Sequence, residues 1–273
     1  FSLLFMKYQG IYFMKKTLIA LAVAASAAVS GSAMAWTANG TGGSVDLGGT
    51  LTPADVVTPW EVKTGDAVTG LDAKIKKGQK TVDIAVNKAI PVLGIRTQTA
   101  KAFQGQPGIS PQISYDNAVD IDHFENGVTT LTLEVKDVND AKIGSMSVPF
   151  SAAGARSYSY DDINAISSRN LYATQEGEAF FGGVGKSSSA IASDAKALVT
   201  AIDADIVAKY NSWGVTDVTG SLTDNFSGDV FYNGFYGSGI ESGKSIKITL
   251  DQAAVGDAPI QWKASLPVTV SYQ

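Results

Sequence analysis

The stretch LTLEVKDVNDAKIGSMSVPF, residues 131–150, decides the fold. Its apolar residues occupy every second position on both sides of the short polar segment 137–140, as they do in two antiparallel strands joined by a tight turn. The two apolar faces consist of Leu131, Leu133, Val135, Met146, Val148 and Phe150. The stretch therefore predicts a β-hairpin with one buried face.

The same period-two pattern recurs in both halves of the chain. The further alternating sets are Val82, Ile84 and Val86; Ile246, Ile248 and Leu250; and Val268, Val270 and Tyr272. Short alternating strands separated by turns rich in Gly, Asn and Asp are typical of an antiparallel sandwich. We therefore predict an all-β fold.

One segment breaks this pattern with helical spacing. Between Ala190 and Tyr210, apolar residues recur every three or four positions, which predicts a helix with one apolar face. That face consists of Ile191, Ala195, Leu198, Ile202, Ile206 and Tyr210. One of Ser187, Ser188 and Ser189 is the expected N-cap. We predict that residues 151–215 form a partly helical insertion in the β-frame.

Composition excludes several classes of protein. The 273 residues include no cysteine and one histidine, and 17% of them are charged. The absence of cysteine excludes disulfide scaffolds, thiolate zinc sites and cysteine catalysis. A formal net charge of −5 argues against a nucleic-acid partner.

The N-terminal region is typical of an export signal. Met14-Lys15-Lys16 is followed by the apolar run 17–29 and by Ala33-Met34-Ala35, a small-residue cleavage site. We predict a signal peptide at 14–35, with cleavage between Ala35 and Trp36. Residues 1–13 precede this signal and are expected to be upstream, non-native sequence.

Export has two consequences for function. The first 35 residues carry three lysines and no acid, so their removal changes the net charge from −5 to −8. The mature protein is thus expected to be exported and acidic. ATP is absent outside the cytoplasm, so an exported protein is not expected to bind it, and we predict no cofactor.

The mature N-terminus carries an alternating segment on a glycine-rich arm. In GGSVDLGGTL, residues 42–51, one face consists of Val45, Leu47, Gly49 and Leu51. Such a strand can leave its own domain and complete the sheet of another molecule. We therefore treat residues 36–52 as an N-terminal donor-strand extension and 53–273 as the main domain. The alternative is an ordinary first strand of the sandwich.

The chain resembles the FaeG-type major fimbrial subunits of chaperone–usher fimbriae and their ClpG-type relatives. The segments that carry the resemblance are MKKTLIALAVAASAA (14–28), GGSVDLGGTL (42–51), IPVLGIRTQ (90–98), GISPQISY (108–115), AKIGSMSV (141–148), YGSGIESGKSIKITLDQA (236–253), QW (261–262) and PVTVSY (267–272). The likeness fades across residues 151–230.

The resemblance implies an immunoglobulin-like domain that lacks its last strand. A periplasmic chaperone would first fill the resulting groove, and the donor strand of a neighbouring subunit would replace it, with an outer-membrane usher as a further partner. The C-terminal strand would line the groove and anchor to the chaperone through Val268, Val270, Tyr272 and the Gln273 carboxylate. The polymer would form a cell-surface fimbrium.

Two motifs could carry other chemistry. The segment GGVGKS, residues 182–187, resembles a phosphate-binding loop, but Phe180 stands where that motif needs glycine, and we predict a flexible loop before the helix. An acidic cluster consists of Asp116, Asp120, Asp122, His123 and Glu125. Its spacing departs from that of a calcium-binding EF-hand loop, so we predict a solvated loop and no metal site.

Aromatic and arginine side chains concentrate in and beside the insertion. Aromatic rings stack on sugars while polar groups bond sugar hydroxyls, which suggests a site for a host glycoconjugate. The candidate receptor contacts are Arg156, Tyr158, Tyr160, Arg169, Tyr172 and Trp213. Phe180 and Phe181 are expected to pack a small core of the insertion itself. The alternatives are a purely structural or minor pilin, and a secreted β-sandwich enzyme acting on glycans.

Overall fold

The computed structural model describes residues 38–39, 47–50, 57–161, 167–212 and 218–273. The chain divides into two units, Phe1–Pro53 and Ala54–Gln273. In the described part of the first unit, residues 47–50 lie outside any strand. Across the described ranges, no helix is both long enough and apolar enough to cross a membrane.

The second unit contains twelve described strands and one described helix. They are β1 Trp60–Thr64, β2 Thr81–Ala85, β3 Ile90–Thr97, β4 Phe103–Gln104, β5 Pro111–Ser114, β6 Val128–Lys136, β7 Lys142–Ser159, β8 Ser167–Leu171, α1 Ala195–Ile202, β9 Val218–Leu222, β10 Phe231–Ile240, β11 Ser245–Leu250 and β12 Thr269–Tyr272. The all-β prediction is confirmed.

The long strand β7 organises the larger sheet, whose main path runs β1-β3-β10-β7-β11-β2. Its first half pairs with β6 and β11, and its second half pairs with β10 and β8. All these pairs are antiparallel, whereas β8 and β9 pair in parallel. A separate two-stranded sheet consists of β12 and β5. The main hydrophobic core includes residues from both sheets.

The predicted hairpin over 131–150 is confirmed. Leu131 pairs with Val148 and Leu133 with Met146, so the apolar residues share one face. At the turn, Asp137 Oδ1 accepts hydrogen bonds from the backbone N–H groups of Asn139 and Ala141 at 2.8 and 3.0 Å. This side chain fixes the bend in the way that aspartate commonly does in turns.

The central strands separate two hydrophobic cores. Residues 150–157 of β7 and 232–240 of β10 are buried on both faces. Tyr232 and Tyr236 belong to the main core, whereas Phe235 packs in a second, smaller cluster with Val199 and Ile206. The second cluster exists because the segment around α1 covers the outer face of the sheet.

The predicted helix and its cap need correction. The helix spans Ala195–Ile202 instead of 190–210, and its N-cap is Asp194, whose Oδ1 accepts a hydrogen bond from the N–H of Ala197 at 2.9 Å. The helix stops at Asp203, which has an extended backbone. Residues 204–209 continue as turns, and Ile206 is still buried, so the apolar spacing outlasts the helix.

The boundaries of the insertion also need correction. Strand β7 extends to Ser159, so residues 151–159 belong to the sheet. Strand β8 then pairs with β7, with Arg156 opposite Arg169. Much of the range 151–215 is therefore built into the frame because its strands complete the sheet.

Phe180 does not pack a core of the insertion, as the sequence suggested. It is fully buried in the main core, where its ring centroid lies 6.0 Å from that of Trp60 and 5.4 Å from that of Tyr236. Phe181 packs against the same core, and its C=O accepts a hydrogen bond from the N–H of Ile113. The segment 178–183 thus lies beside β5 and contributes to the main domain.

The glycine loop 182–187, predicted to be a flexible loop before the helix, packs against β5 at its first two residues. A Cβ added at Gly182 would lie 2.0 Å from the C=O oxygen of Ile113, and one at Gly183 would lie 2.5 Å from Ile113 Cδ1. Tyr236 donates a hydrogen bond to the C=O of Gly183. Glycine is required here because the loop packs tightly against β5, and the helix begins only at Ala195.

Candidate functional site

An open apolar groove of about 1350 Å³ lies within the second unit. Residues from seven strands and from the C-terminal segment line it. The apolar lining includes Val82, Ile84, Ile90, Leu131, Leu133, Met146, Ile240, Ile246, Ile248, Leu250, Trp262, Leu266 and Val268. Apolar and polar residues alternate along these strands. Because each strand directs every second side chain toward the same face, the apolar residues line the groove.

The C-terminal segment forms one border of the groove. Every even-numbered residue from Trp262 to Tyr272 is half-buried, and every odd-numbered residue from Gln261 to Gln273 is exposed. This is the burial pattern of one extended chain with one face toward the core. Only Thr269–Tyr272 forms a ladder, with β5, and Lys263 bridges to Lys136.

The opposite edge of this segment carries backbone groups without strand partners. Gln273 exchanges two backbone hydrogen bonds with Ser110. In this register the N–H and C=O groups of every second residue of β12 point toward β5. The N–H and C=O groups of Val268 and Val270 therefore point to the other edge, where no described strand pairs with β12. A free strand edge beside an apolar groove can accept another extended chain.

A second unpaired segment, residues 66–75, also borders the groove. Leu71 and Ile75 pack against the main core, and neighbouring residues 66–70 line the opening. Within the described ranges, no backbone hydrogen bond reaches residues 66–75. The groove therefore has unpaired main chain along two borders.

The predicted donor residues lie in the first unit. Val45 and Leu51 fall outside the described residues, as do Ala35 and Trp36. Leu47 is 94% exposed, and a Cβ added at Gly49 would have no atom within 4 Å.

The candidate receptor residues do not share one environment. Arg156 is buried, and its Nε donates to Asp224 Oδ2 at 2.7 Å, which argues against contact with a bound sugar. Tyr172 is half-buried, and its N–H donates to the C=O of Leu222. Trp213 lies outside the described residues.

Of the remaining three candidates, Tyr158 and Tyr160 lie at the end of β7, and Arg169 lies in the middle of β8. Tyr160 is 72% exposed, and its ring meets that of Tyr158 edge-on at a centroid distance of 6.1 Å. Arg169 is half-buried and lies opposite Arg156 on the neighbouring strand.

The acidic cluster forms an exposed loop tied by ion pairs. Asp120 raises the pKa of His123 through a hydrogen bond and its negative charge, and Lys186 pairs with Asp122. Among the described residues, no three His, Cys, Asp or Glu side chains group as metal ligands do. Asp116 and Glu125 belong to neighbouring turns, and both are exposed.

Sequence reasoning missed part of the groove. The alternation of the C-terminal segment begins at Trp262, whereas the strand predicted from the sequence begins at Pro267. The pattern Trp262, Ala264, Leu266 was visible in the sequence. The role of residues 66–75 had no such signal, because Leu71 and Ile75 do not alternate with comparable apolar residues.

The chain is similar in sequence to several known proteins. The K88 fimbrial protein AC of Escherichia coli is 32% identical over 287 residues, which cover 95% of this chain and all of that relative. The F41 fimbrial protein of Escherichia coli is 29% identical, with the same coverage of both chains. The K88 minor fimbrial subunit FaeI of Escherichia coli is 23% identical over 84% of this chain and 90% of its own length.

These relatives are fimbrial proteins by name, and none is named as an enzyme. A family model described as "Fimbrial, major and minor subunit" matches residues 14–273. The matched residues include those that line the groove, those of both its borders and the N-terminal segment. The chain belongs to the family of major and minor fimbrial subunits.

Proposed function

We propose that this fimbrial subunit polymerises by donor-strand complementation. Residues 45–51 of one subunit insert into the groove of the next, with Val45, Leu47 and Leu51 turned inward. The observation that carries the proposal is the apolar groove of about 1350 Å³ bordered by unpaired main chain. The exposure of Leu47 supports it, because insertion would bury that side chain.

The energetics favour such an insertion. Burying a branched apolar side chain contributes about 2 kcal/mol, so three of them contribute about 6 kcal/mol. Main-chain hydrogen bonds along Val268 and Val270 would add to this, and the insertion would cover an edge that otherwise invites aggregation. Before assembly, a periplasmic chaperone fills the same groove. The donor strand of a neighbouring subunit then replaces the chaperone at an outer-membrane usher.

The substitution Leu47→Asp tests donor-strand insertion. Fibres should be lost, because an unpaired carboxylate in an apolar groove costs several kcal/mol. Thr50→Asp is the matched control: it adds the same charge to the opposite face of the segment, and fibres should persist. Fibre yield is measured by electron microscopy of cells carrying each variant. Normal fibres from Leu47→Asp would show that the segment is not the donor.

Export precedes assembly in this proposal. The signal at 14–35 is removed between Ala35 and Trp36, and the subunit crosses the periplasm to the cell surface. Sequencing the N-terminus of the exported protein tests this step. A start beyond Val45 would remove the donor segment and contradict both export and assembly as proposed.

The fimbrium also binds host glycoconjugates through the end of β7 and β8. The exposed Tyr160 ring beside Tyr158 supports this second activity, since sugars stack on such rings. Tyr160→Ala should reduce binding of assembled fibres to a glycan array while leaving fibre yield unchanged. Val138→Ala, at another exposed apolar side chain, is the control. Unchanged glycan binding by Tyr160→Ala would exclude this end of the sheet.

A further inference from the structure

Four lysines lie close together on the exposed segment that leads into β2. They are Lys74, Lys76, Lys77 and Lys80, and all four are exposed. Residues 73–80 contain no acid, so this short stretch carries four of the 21 lysines and arginines of the chain. The formal net charge of the chain is −5, and without these four lysines it would be −9. Residues 74–80 therefore form a basic patch on an acidic protein.

A tight turn fixes the backbone of the basic patch. The N–H of Gln79 donates to the C=O of Lys76 at 3.0 Å, and Gln79 Oε1 accepts from the N–H of Lys76 at 2.8 Å. Gly78 has a φ of +85°, which glycine adopts without strain at the third position of such a turn. Its N–H donates to the C=O of Ala254 at 2.7 Å. An ordered backbone carries the lysines, which lowers the entropy lost when they bind a ligand.

The basic patch faces away from the apolar groove. Ile75 is half-buried and lines the groove, whereas Lys74 and Lys76 on either side of it are exposed and do not line it. Lys77 lies at the rim of the groove, and Lys80 Nζ donates to the C=O of Asp251 at 3.0 Å. Lys74 and Lys76 would therefore stay accessible when another chain fills the groove.

Acidic side chains near the basic patch do not cancel its charge. No ion pair among the described residues includes one of its lysines, and the chain around it is described without a gap from 57 to 161. Asp72 precedes the patch and is exposed, and Asp83 lies opposite Lys247 on β11. Even with Asp72 counted, the patch has a net positive charge.

The composition of the basic patch favours a ligand that is recognised by charge. Residues 61–102 contain no aromatic side chain, so they offer no ring on which a neutral sugar or an unpaired base could stack. No exposed residue of the patch has a large apolar side chain, which a membrane-binding segment would insert among lipids. The ammonium groups are point charges on flexible stems, and they suit a row of anions without fixed geometry.

Lysine-rich segments of this length bind either nucleic acids or heparin-like polysaccharides. The polysaccharide fits this protein better, because a fimbrium is exposed at the cell surface, where sulfated polysaccharides occur. A DNA duplex is also broad and highly charged, so the acidic remainder of the chain would repel it beyond the patch. A single flexible chain can instead follow the lysines alone.

We propose that the basic patch binds a linear sulfated polysaccharide of the heparin type through its four lysines. This site uses other residues than the proposed sugar contact at Tyr160, and it does not depend on that contact. The binding is noncovalent. Repetition of one patch per subunit along a fibre would let several weak contacts act on one polysaccharide chain.

The test measures the Kd of a fluorescent heparin hexasaccharide for assembled fibres, by anisotropy, in 50 and 200 mM salt. On nucleic acids, each neutralised charge adds about 0.7–0.9 to the slope of log K against log salt, so four lysines predict a slope of about −3 and roughly a sixtyfold loss of affinity between these salts. The double variant Lys74→Gln, Lys76→Gln should halve this slope and weaken binding at least tenfold in 50 mM salt. Lys74→Arg with Lys76→Arg should retain binding, because the charge is kept.

The matched control is the double variant Lys88→Gln, Lys196→Gln, which removes the same charge from two exposed lysines elsewhere. It should bind as the wild type does, and an equal loss in both double variants would show that net charge, not the patch, attracts heparin. Fibre yield should stay unchanged in every variant, and binding is compared at equal fibre mass.

Other polyanions test the class of ligand. Desulfated heparin, which keeps its carboxylates, should bind at least tenfold more weakly than heparin. Equal binding of desulfated heparin would overturn the role of sulfate. Duplex DNA or phosphatidylglycerol vesicles that bind as tightly as heparin would overturn the assignment of a polysaccharide. Tyr160→Ala should leave heparin binding unchanged, so failure of this inference and failure of the proposed adhesion at Tyr160 are told apart.

Discussion

At the residue scale, Arg156 is the buried charge that joins β7 to the loop before β10. The side chains of Arg156 and Asp224 are only 7% and 11% exposed, and their nitrogen and oxygen atoms lie 2.7 Å apart. Asp224 Oδ1 also accepts from the N–H of Phe226, whose ring packs 4.9 Å from Trp60 between centroids. The pair therefore connects a polar loop to the aromatic part of the main core.

The substitution Arg156→Gln should destabilise the subunit by about 3–5 kcal/mol, because it leaves the Asp224 carboxylate buried without its counter-ion. Urea unfolding of the purified subunit measures this loss. The control is Lys142→Gln, which breaks an ion pair with Glu134 between half-exposed side chains. Exposed pairs contribute about 0–1 kcal/mol, so the control should unfold almost as the wild type does. Equal losses in the two variants would contradict the assigned role of Arg156.

At the scale of elements, glycines on β3 and β10 allow the segment around α1 to lie close to the sheet. An added Cβ would lie 2.8 Å from Ile206 at Gly94, 2.4 Å from Val199 at Gly237 and 2.8 Å from Ile202 at Gly239. No larger residue fits these positions without displacing the segment.

Ion pairs hold the other end of this segment. Lys209 and Arg96 both contact Glu61 and lower the pKa of its carboxyl. Arg96 also lowers the pKa of Asp205. The segment is thus fixed by apolar packing at α1 and by charges at residues 205–209.

Gly237→Ala should destabilise the subunit by about 1–3 kcal/mol, the usual cost of overpacking a filled site. The double variant with Val199→Ala should recover part of this loss, because the smaller side chain leaves room for the new methyl group. Gly256→Ala is the control, since a Cβ added there would lie 3.8 Å from the Ala258 nitrogen, which is an ordinary van der Waals distance. Thermal unfolding measures the losses of these three variants and of Val199→Ala alone. Additive losses in the double variant would show that Val199 is not the residue in conflict.

At the scale of the molecule, the subunit is a sandwich with a groove that no described strand fills. Its apolar lining includes residues from both borders and from the inner faces of the strands. An open groove with unpaired main chain is a site for aggregation, and filling it should stabilise the whole domain.

A synthetic peptide of residues 42–52 should therefore raise the Tm of the full mature subunit. At a concentration of about one hundred times its Kd, a ligand adds about 2.7 kcal/mol, which corresponds to roughly 5–10 °C for a chain of this size. The same peptide carrying Leu47→Asp should leave the Tm unchanged. An equal rise with both peptides would show that binding does not use the apolar face of the segment.

The sequence by itself determined the strands and the sandwich class. Alternation is a local property: a strand such as β6 exposes every second side chain, so Leu131 and Leu133 identify their own buried face. The alternating C-terminal residues Val268, Val270 and Tyr272 were found for the same reason. Local spacing also located the apolar face around α1, including Ile202 and Ile206.

Only the tertiary structure decided which of these elements share a core and which edge remains open. Phe180 joined the main core because residues 178–183 lie beside β5, a contact between segments far apart in the chain. Arg156 became buried because Asp224, 68 residues away, neutralises it. The groove likewise depends on which strand β12 pairs with. Such pairings depend on contacts between distant segments, which local periodicity does not encode.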